Sequence, residues 1–247
     1  MAYPAFPYQQ PPKSRLPLVL VVIAGAVALL CAAGAATAVW LRGTRPAARQ
    51  TQDSTISAQP VQAQGLAIAT VGKPEAKVTL DLYEDYLCPA CALFEEREGE
   101  RIAKAVEAGQ LRVRFHMLNF LNRHSASGDY SSRAAGAALS VFQKAPDKFL
   151  VFHAKLLAQD TQPQEGGSSD LSDDQLAKIA EEVGAGAAAA DIRSGANVKA
   201  AEDAAAASTR QLQSILKRAS TPSVLKDDQP VDWQHDAQWL QKLVGAP

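Results

Sequence analysis

Hydrophobic and polar positions divide the chain into two unlike parts. From Leu16 to Leu41 the run LPLVLVVIAGAVALLCAAGAATAVWL carries no charge. As a helix those 26 residues reach ~39 Å, against a bilayer hydrocarbon core of roughly 30 Å. The pattern predicts one transmembrane helix over 16–41. Lys13 and Arg15 bracket one end, and Trp40, Arg42 and Arg45 the other, with Trp40 at an interfacial position. Ala36-Thr37-Ala38 offers a cleaved signal peptide as the alternative. The length of the run, and its continuation past Ala38, favour an anchor. Residues 1–15 form a short tail, Pro- and Tyr-rich up to Pro12, and 42–64 are an aperiodic linker of Gln, Ala, Thr and Ser.

The body, 65–247, reads as mixed α/β. Val78 to Tyr83 has strand length and composition, after the turn Gly72-Lys73-Pro74-Glu75. Ala92 to Ala108 has helical spacing through Leu93, Phe94, Ile102, Ala105 and Val106, with its glutamates expected to face water and Gly109 stopping it. Leu111 to Leu118 alternates as a second strand, which completes a βαβ unit. Between about 125 and 220 there is no strand candidate. Helices are expected over Ser131–Lys144 and Pro146–Gln159. A Gly/Ser loop follows over Gln162–Asp170, then a helix opened by the capping box Ser172-Asp173-Asp174-Gln175. Ala185–Lys217 reads as one or two helices broken near Ser194-Gly195, its alanine runs expected to be plain helix surface. Ala219 to Leu225, a polar turn and Val231 read as a hairpin, and Asp236 to Val244 as a last amphipathic helix.

Composition narrows the function. The 247 residues carry 25 Lys+Arg and 26 Asp+Glu, so binding of nucleic acid by bulk charge is excluded. Five bases against Asp53 alone put +4 on residues 1–64, leaving 20 bases against 25 acids, or −5, on the body. Charge around the span is nearly balanced, so orientation rests on the body's chemistry. Three cysteines cannot make a disulfide scaffold. Cys31 lies in the apolar run and reads as a small membrane residue.

The other two make the motif Cys88-Pro89-Ala90-Cys91 at the start of the body's first helix. There the unpaired amide groups and the helix dipole favour a thiolate at Cys88. Pro89 suits the first helical position. Cys91 lies one turn deeper on the same face. Cys88 is thus expected exposed and reactive, Cys91 shielded, and the pair able to close a disulfide. Zinc is the alternative for any such motif. His116, His124, His153 and His235 are scattered, however, and read as packed or solvated residues, so no metal is expected.

With Thr221-Pro222 before the hairpin, the acidic-aromatic approach Glu84-Asp85-Tyr86-Leu87, the lead-in Gly72-x-x-x-Ala76-x-Val78 and the stretch Phe149-Leu150-Val151-Phe152-His153, the body resembles the DsbA-like branch of the thioredoxin superfamily. The resemblance implies a thioredoxin fold with an inserted helical subdomain. It makes Pro222, read alone as an edge or bulge device, the cis-proline that faces the cysteines and, with Thr221, shapes a substrate groove. It implies thiol–disulfide exchange with no cofactor beyond the Cys88–Cys91 disulfide. The implied partners are unfolded or reduced exported proteins and a DsbB- or VKOR-like membrane reoxidase, with a monomer expected. A reductase or isomerase on the same fold, and a non-enzymatic tethered binding module, stay open. One departure stands out. The family's buried carboxylate, six residues before the first Cys, is replaced by Leu82. Glu84 and Asp85 are the nearest acids for proton transfer to Cys91, though their polarity at a turn favours plain solvation for both. Pro89 and Ala90 between the cysteines lack the His of the strongest oxidants.

Overall fold

The computed structural model describes residues 68–245. The tail, transmembrane helix and linker expected over 1–64 lie outside these residues. Among the described residues no helix is long and apolar enough to cross a membrane.

The body opens with a three-residue strand, β1 (Ala69–Val71), which is too short to leave a period in the sequence. Strand β2 (Val78–Glu84) is buried at six of its seven positions, as a central strand covered on both faces must be. Its parallel neighbour β3 (Leu111–Met117) pairs with it from Val78↔Leu111 to Glu84↔Met117. A parallel pair needs a crossover, and the cysteine-bearing helix supplies it. That helix is one rod in three pieces: α1 (Pro89–Phe94), a single π turn over Glu95–Gly99, and α2 (Glu100–Glu107). Gly109, at φ 72°, ends it in a conformation that favours glycine. Not all its glutamates face water, contrary to expectation. Glu98 is buried, where it accepts from Trp239 Nε1 at 3.0 Å and Arg101 at 2.6 Å, and Glu95 turns inward at the π turn.

Between Met117 and Ser223 every regular element is a helix: α3 (Tyr130–Lys144), α4 (Phe149–Leu157), α5 (Asp173–Glu182), α6 (Ala189–Arg193) and α7 (Val198–Ile215), joined by loops and short 3₁₀ turns. The expected capping box forms at Ser172. Its hydroxyl accepts from the Gln175 amide and its own amide donates to Gln175 Oε1 at 2.8 Å. The expected break falls between α6 and α7. The alanines of α7 are not all surface: Ala201 and Ala205 are buried. Small residues let α7 approach α3 so closely that a Cβ on Gly136 would meet Val198 Cα at 2.9 Å.

The chain returns through β4 (Ser223–Lys226) and β5 (Gln229–Pro230), then α8 (Trp239–Val244). Asp227 and Asp228, both at positive φ, make the two-residue turn between the strands. The sheet order is β1-β3-β2-β4-β5, with β1 antiparallel to β3 and β4 antiparallel to β2. This is the thioredoxin fold with inserted helices. The insertion is joined to the sheet by aromatic rings. Phe149 of α4 meets Phe115 of β3 at 5.0 Å and Phe142 of α3 at 5.7 Å, and stacks on His153.

Candidate active site

Strand β2 delivers the chain to the site. Side chains alternate along a strand, so Val78, Leu80, Leu82 and Glu84 share one face, and all four are buried. Asp85, Tyr86 and Leu87 follow, all fully buried, and Cys88 caps α1 with Pro89 in its first turn.

Cys88 is 8% exposed and Cys91 0%, and both are free thiols here. Cys88 is therefore less open than expected. Its Sγ lies 3.6 Å from the carbonyl oxygen of Thr221, and the Thr221–Pro222 peptide bond is cis. The expected partners, Cys88, Cys91, Thr221 and Pro222, thus come together at the C-terminal end of β2 and the start of β4. The Cys88 thiol is lowered to about 6. The hydrogen bond from Cys91 is the main cause. Burial opposes it, while the Thr221 side chain and the amides of Cys91 and Ala90 add to it. Amide donors at a helix start stabilise a thiolate in this way. Cys91 goes the other way, pushed well above its ordinary value by burial, then by its hydrogen bond to Cys88 and by the nearby charges of Glu84 and Cys88. One sulfur is set to be a thiolate and its partner to stay protonated.

Glu84 and Asp85 are both 0% exposed, which overturns their expected solvation. Asp85 is fully occupied. It accepts from the amides of Leu87 and Leu121, each at 3.0 Å, and from the Ser131 hydroxyl at 2.6 Å. Burial raises its carboxyl against those bonds. It ties the approach loop to α3.

Glu84 has different company. Its Oε2 lies 3.0 Å from Nε2 of His153 on α4, yet the two are not aligned as a hydrogen bond, and neither Glu84 oxygen has an aligned donor. Glu95 Oε2 stands 3.7 Å from the same His153 nitrogen. The ring's Nδ1 meets the Tyr86 hydroxyl at 3.0 Å. Burial works against a charge on His153, but Glu84 and Glu95 outweigh it and hold the ring above its ordinary value. Burial brings the Glu95 carboxyl up to about 6, against the pull of His153 and with the help of Glu84. Reading the sequence missed Glu95, Tyr86 and His153 as a group. A signal was present: with Phe149, Phe152 and Leu156, His153 has the spacing of one apolar helical face.

The other histidines lie apart. His116 is buried between Asp81, at 2.8 Å, and Ser208, at 3.1 Å, and Asp81 also receives the Arg114 guanidinium. His124 and His235 sit at the surface beside Arg123 and Asp232. Among the described residues no group of three His, Cys, Asp or Glu side chains could hold a metal ion.

A dithiol at a helix start, facing a cis-proline, is the arrangement on which comparison with known proteins bears. The thioredoxin family model matches residues 67–246. The chain belongs to the DsbA-like branch of the thioredoxin superfamily. The crystal structure of oxidised DsbA from Mycobacterium tuberculosis is 30% identical and covers 74% of this chain and 91% of its own, with a TM-score of 0.60. Disulfide bond formation protein D of Bacillus subtilis is 33% identical over 87 residues, 35% of this chain and 36% of that protein. The serine/threonine-protein kinase PknE of M. tuberculosis is 37% identical over 177 residues, 71% of this chain. The DsbA-like chain spans about 31% of that kinase's length.

Proposed function

We propose that this DsbA-like chain is a membrane-tethered thiol:disulfide oxidoreductase that introduces disulfides into exported proteins outside the cytoplasm. A substrate thiolate attacks Cys88 Sγ of the Cys88–Cys91 disulfide, and the bond's electron pair passes to Cys91, which takes up a proton. A second substrate thiolate then attacks the substrate sulfur of the mixed disulfide and releases Cys88 as thiolate. The substrate leaves oxidised and the enzyme as a dithiol, to be reoxidised by a DsbB- or VKOR-like membrane partner. Thr221 and Pro222 line the groove that holds the substrate against Cys88. Glu84 exchanges the proton with Cys91, in place of the carboxylate that Leu82 replaces. It stands on the same face of β2, one pleat repeat nearer the cysteines.

The observation that carries this reading is the Cys88–Cys91 dithiol at the helix start, with Cys88 Sγ 3.6 Å from the Thr221 carbonyl beside cis-Pro222; the surroundings lower Cys88 and push Cys91 well above its ordinary value. A low-pKa attacking sulfur stabilises the dithiol state, which makes the disulfide a better oxidant. Membrane tethering follows from 16–41, and the outward-facing body from the need to escape cytoplasmic reductants. The test is oxidative refolding of a reduced, unfolded secreted substrate by the full chain. Catalysed recovery of the native disulfide is expected, and it should vanish in Cys88→Ser. The match to part of a kinase favours one second reading, a redox-sensing module without turnover. Stoichiometric oxidation with no catalysis when a reoxidant is supplied would select it.

A further inference from the structure

Leu93 of α1 is 55% exposed, and with Val151 it is one of two large apolar side chains left open among the described residues. A lone exposed leucine needs no explanation. This one has a setting. Pro89, Ala92 and Leu93 stand at i, i+3 and i+4 of α1, so they share a face of the helix. That face is one wall of a groove of about 650 Å³. The other wall is the loop 162–166 of the insertion, and Gln159 and His124 also line the groove. Neither cysteine lines it, nor does Thr221 or Pro222.

The groove is built in advance. Gln162 Nε2 donates to the carbonyl oxygens of Tyr86 and Cys88, each at 3.1 Å. The insertion wall is thus fastened to the residue that carries the reactive sulfur. The Gly166 amide donates to the His124 carbonyl at 2.8 Å, and Gln159 Nε2 to Glu96 Oε2 at 2.8 Å. These bonds tie down the two flanks of the loop, and Pro163 restricts its backbone. A preformed concavity with an apolar floor and a few polar groups is the form that binding sites take, and little ordering is left to oppose binding.

We propose that this groove is a second substrate subsite, apart from the cis-proline, in which Leu93 receives an apolar side chain about two or three residues from the substrate's reacting cysteine. The proposal rests on the exchange reaction above and names what the substrate must carry beside its thiol. The register follows from geometry. Leu93 lies five residues past Cys88, about 7.5 Å along the helix axis. An extended chain advances ~3.3 Å per residue, so two residues cover ~6.6 Å and three ~10 Å. Pro89 makes the groove continuous with Cys88. A chain bonded to Cys88 can therefore lie along the Pro89–Leu93 face while Thr221 and Pro222 hold it at the sulfur.

The rim selects little by charge. Glu165 brings an acid to it, and Arg123, donating to His124 at 3.0 Å, brings a base. The amides of Gln159, Gln162 and Gln164 both donate and accept, which suits a peptide main chain of any sequence. Discrimination is left to the apolar floor. That choice fits a substrate oxidised before it folds. Cysteine is among the most buried residue types of folded proteins, and a residue two positions away on a strand shares its face. In the unfolded chain such a side chain is free to dock on Leu93. In the folded product it lies in the core, so the groove favours unfolded substrate and lets go of the product as it folds.

The test uses the full chain in detergent, with Cys31→Ala throughout, in its disulfide form. It is mixed with single-cysteine peptides that differ only by one Leu or Ser, walked from one to four residues on either side of the cysteine. Acid-quenched samples read by mass give the rate at which the mixed disulfide with Cys88 forms. In the parent, Leu at two or three residues on one side should react at least five-fold faster than Ser at the same place, through a lower KM. Leu elsewhere should gain less than about two-fold. In Leu93→Ser the five-fold ratio should fall below two-fold, and in Leu93→Met it should persist. A parent without preference, a preference independent of position, or one that survives Leu93→Ser would overturn the subsite and leave attack on Cys88 standing. A parent that forms no mixed disulfide with any peptide would instead overturn the exchange reaction, and the subsite with it.

Discussion

Cys88 and Cys91 carry the same side chain three residues apart, and their surroundings drive them in opposite directions. Cys88 sits where Cys91, Thr221 and two helix-start amides stabilise negative charge. Cys91 is wholly buried, with the charges of Glu84 and Cys88 acting on it. Iodoacetamide at pH 6 should therefore label Cys88 in the reduced chain well ahead of Cys91, as peptide mapping would show. Faster labelling of Cys91 would reverse the roles. The pH dependence of stability follows from the sign of the shift. The folded-state thiol of Cys88 is depressed from its unfolded value of roughly 8.5 to about 6, so its contribution to the reduced state is present above the unfolded value and is lost as pH falls through about 6. Cys91, raised, is neutral in both states near pH 6 and opposes the effect only as pH rises through the unfolded value. Melts of the reduced form should show this loss and melts of the disulfide form should not. Asp85 has a structural role. Asp85→Ala strands two amides and the Ser131 hydroxyl in the interior and should cost about 2–4 kcal/mol in chemical denaturation. A cost near zero would mean that the approach loop is not held by this carboxylate.

At the level of elements, what the sequence shows is what local rules write. β2, β3, the capped α5 and the break before α7 are legible because periodicity, capping and glycine act within a few residues. The helix stop at Gly109 and the Asp227-Asp228 turn are legible for the same reason. β1 is not, because three residues carry no period and its place on β3 is a long-range pairing. The π turn is not, because nothing in the local pattern of Glu95–Gly99 separates it from a plain α-helix. Cys88 and Cys91 could be named from their neighbours in sequence, and Pro222 only through the family resemblance. The burial of Glu84 and Asp85 could not be judged from a turn's polarity, because the helices that cover them are supplied by the insertion. Strand parity does place Glu84 beside Leu82, and that clue ranks above local polarity. The insertion is thus part of the site, and Phe149 is one of its joints to the sheet, beside α7, whose Ser208 meets His116 of β3. Phe149→Ala should cost ~3–5 kcal/mol of global stability, with α3, α4 and β3 losing amide protection together. Loss confined to α4 would show that the joint lies elsewhere.

Over the whole molecule, the thioredoxin core supplies the sulfur chemistry. The inserted helices supply Ser131 and His153, which hold the approach loop and face the buried acid. The direction in which this assembly prefers to move electrons decides its function. A thiolate stabilised at Cys88 favours the dithiol, and a favoured dithiol makes an oxidising disulfide. The most direct measurement is the reduction potential of the Cys88–Cys91 couple in the full chain, equilibrated against glutathione buffers at pH 7 and read by alkylation and mass. The expected value is more positive than about −200 mV, on the oxidising side of the glutaredoxins and toward the DsbA range. A value near −270 mV, that of thioredoxin, would contradict it and make the chain a reductase.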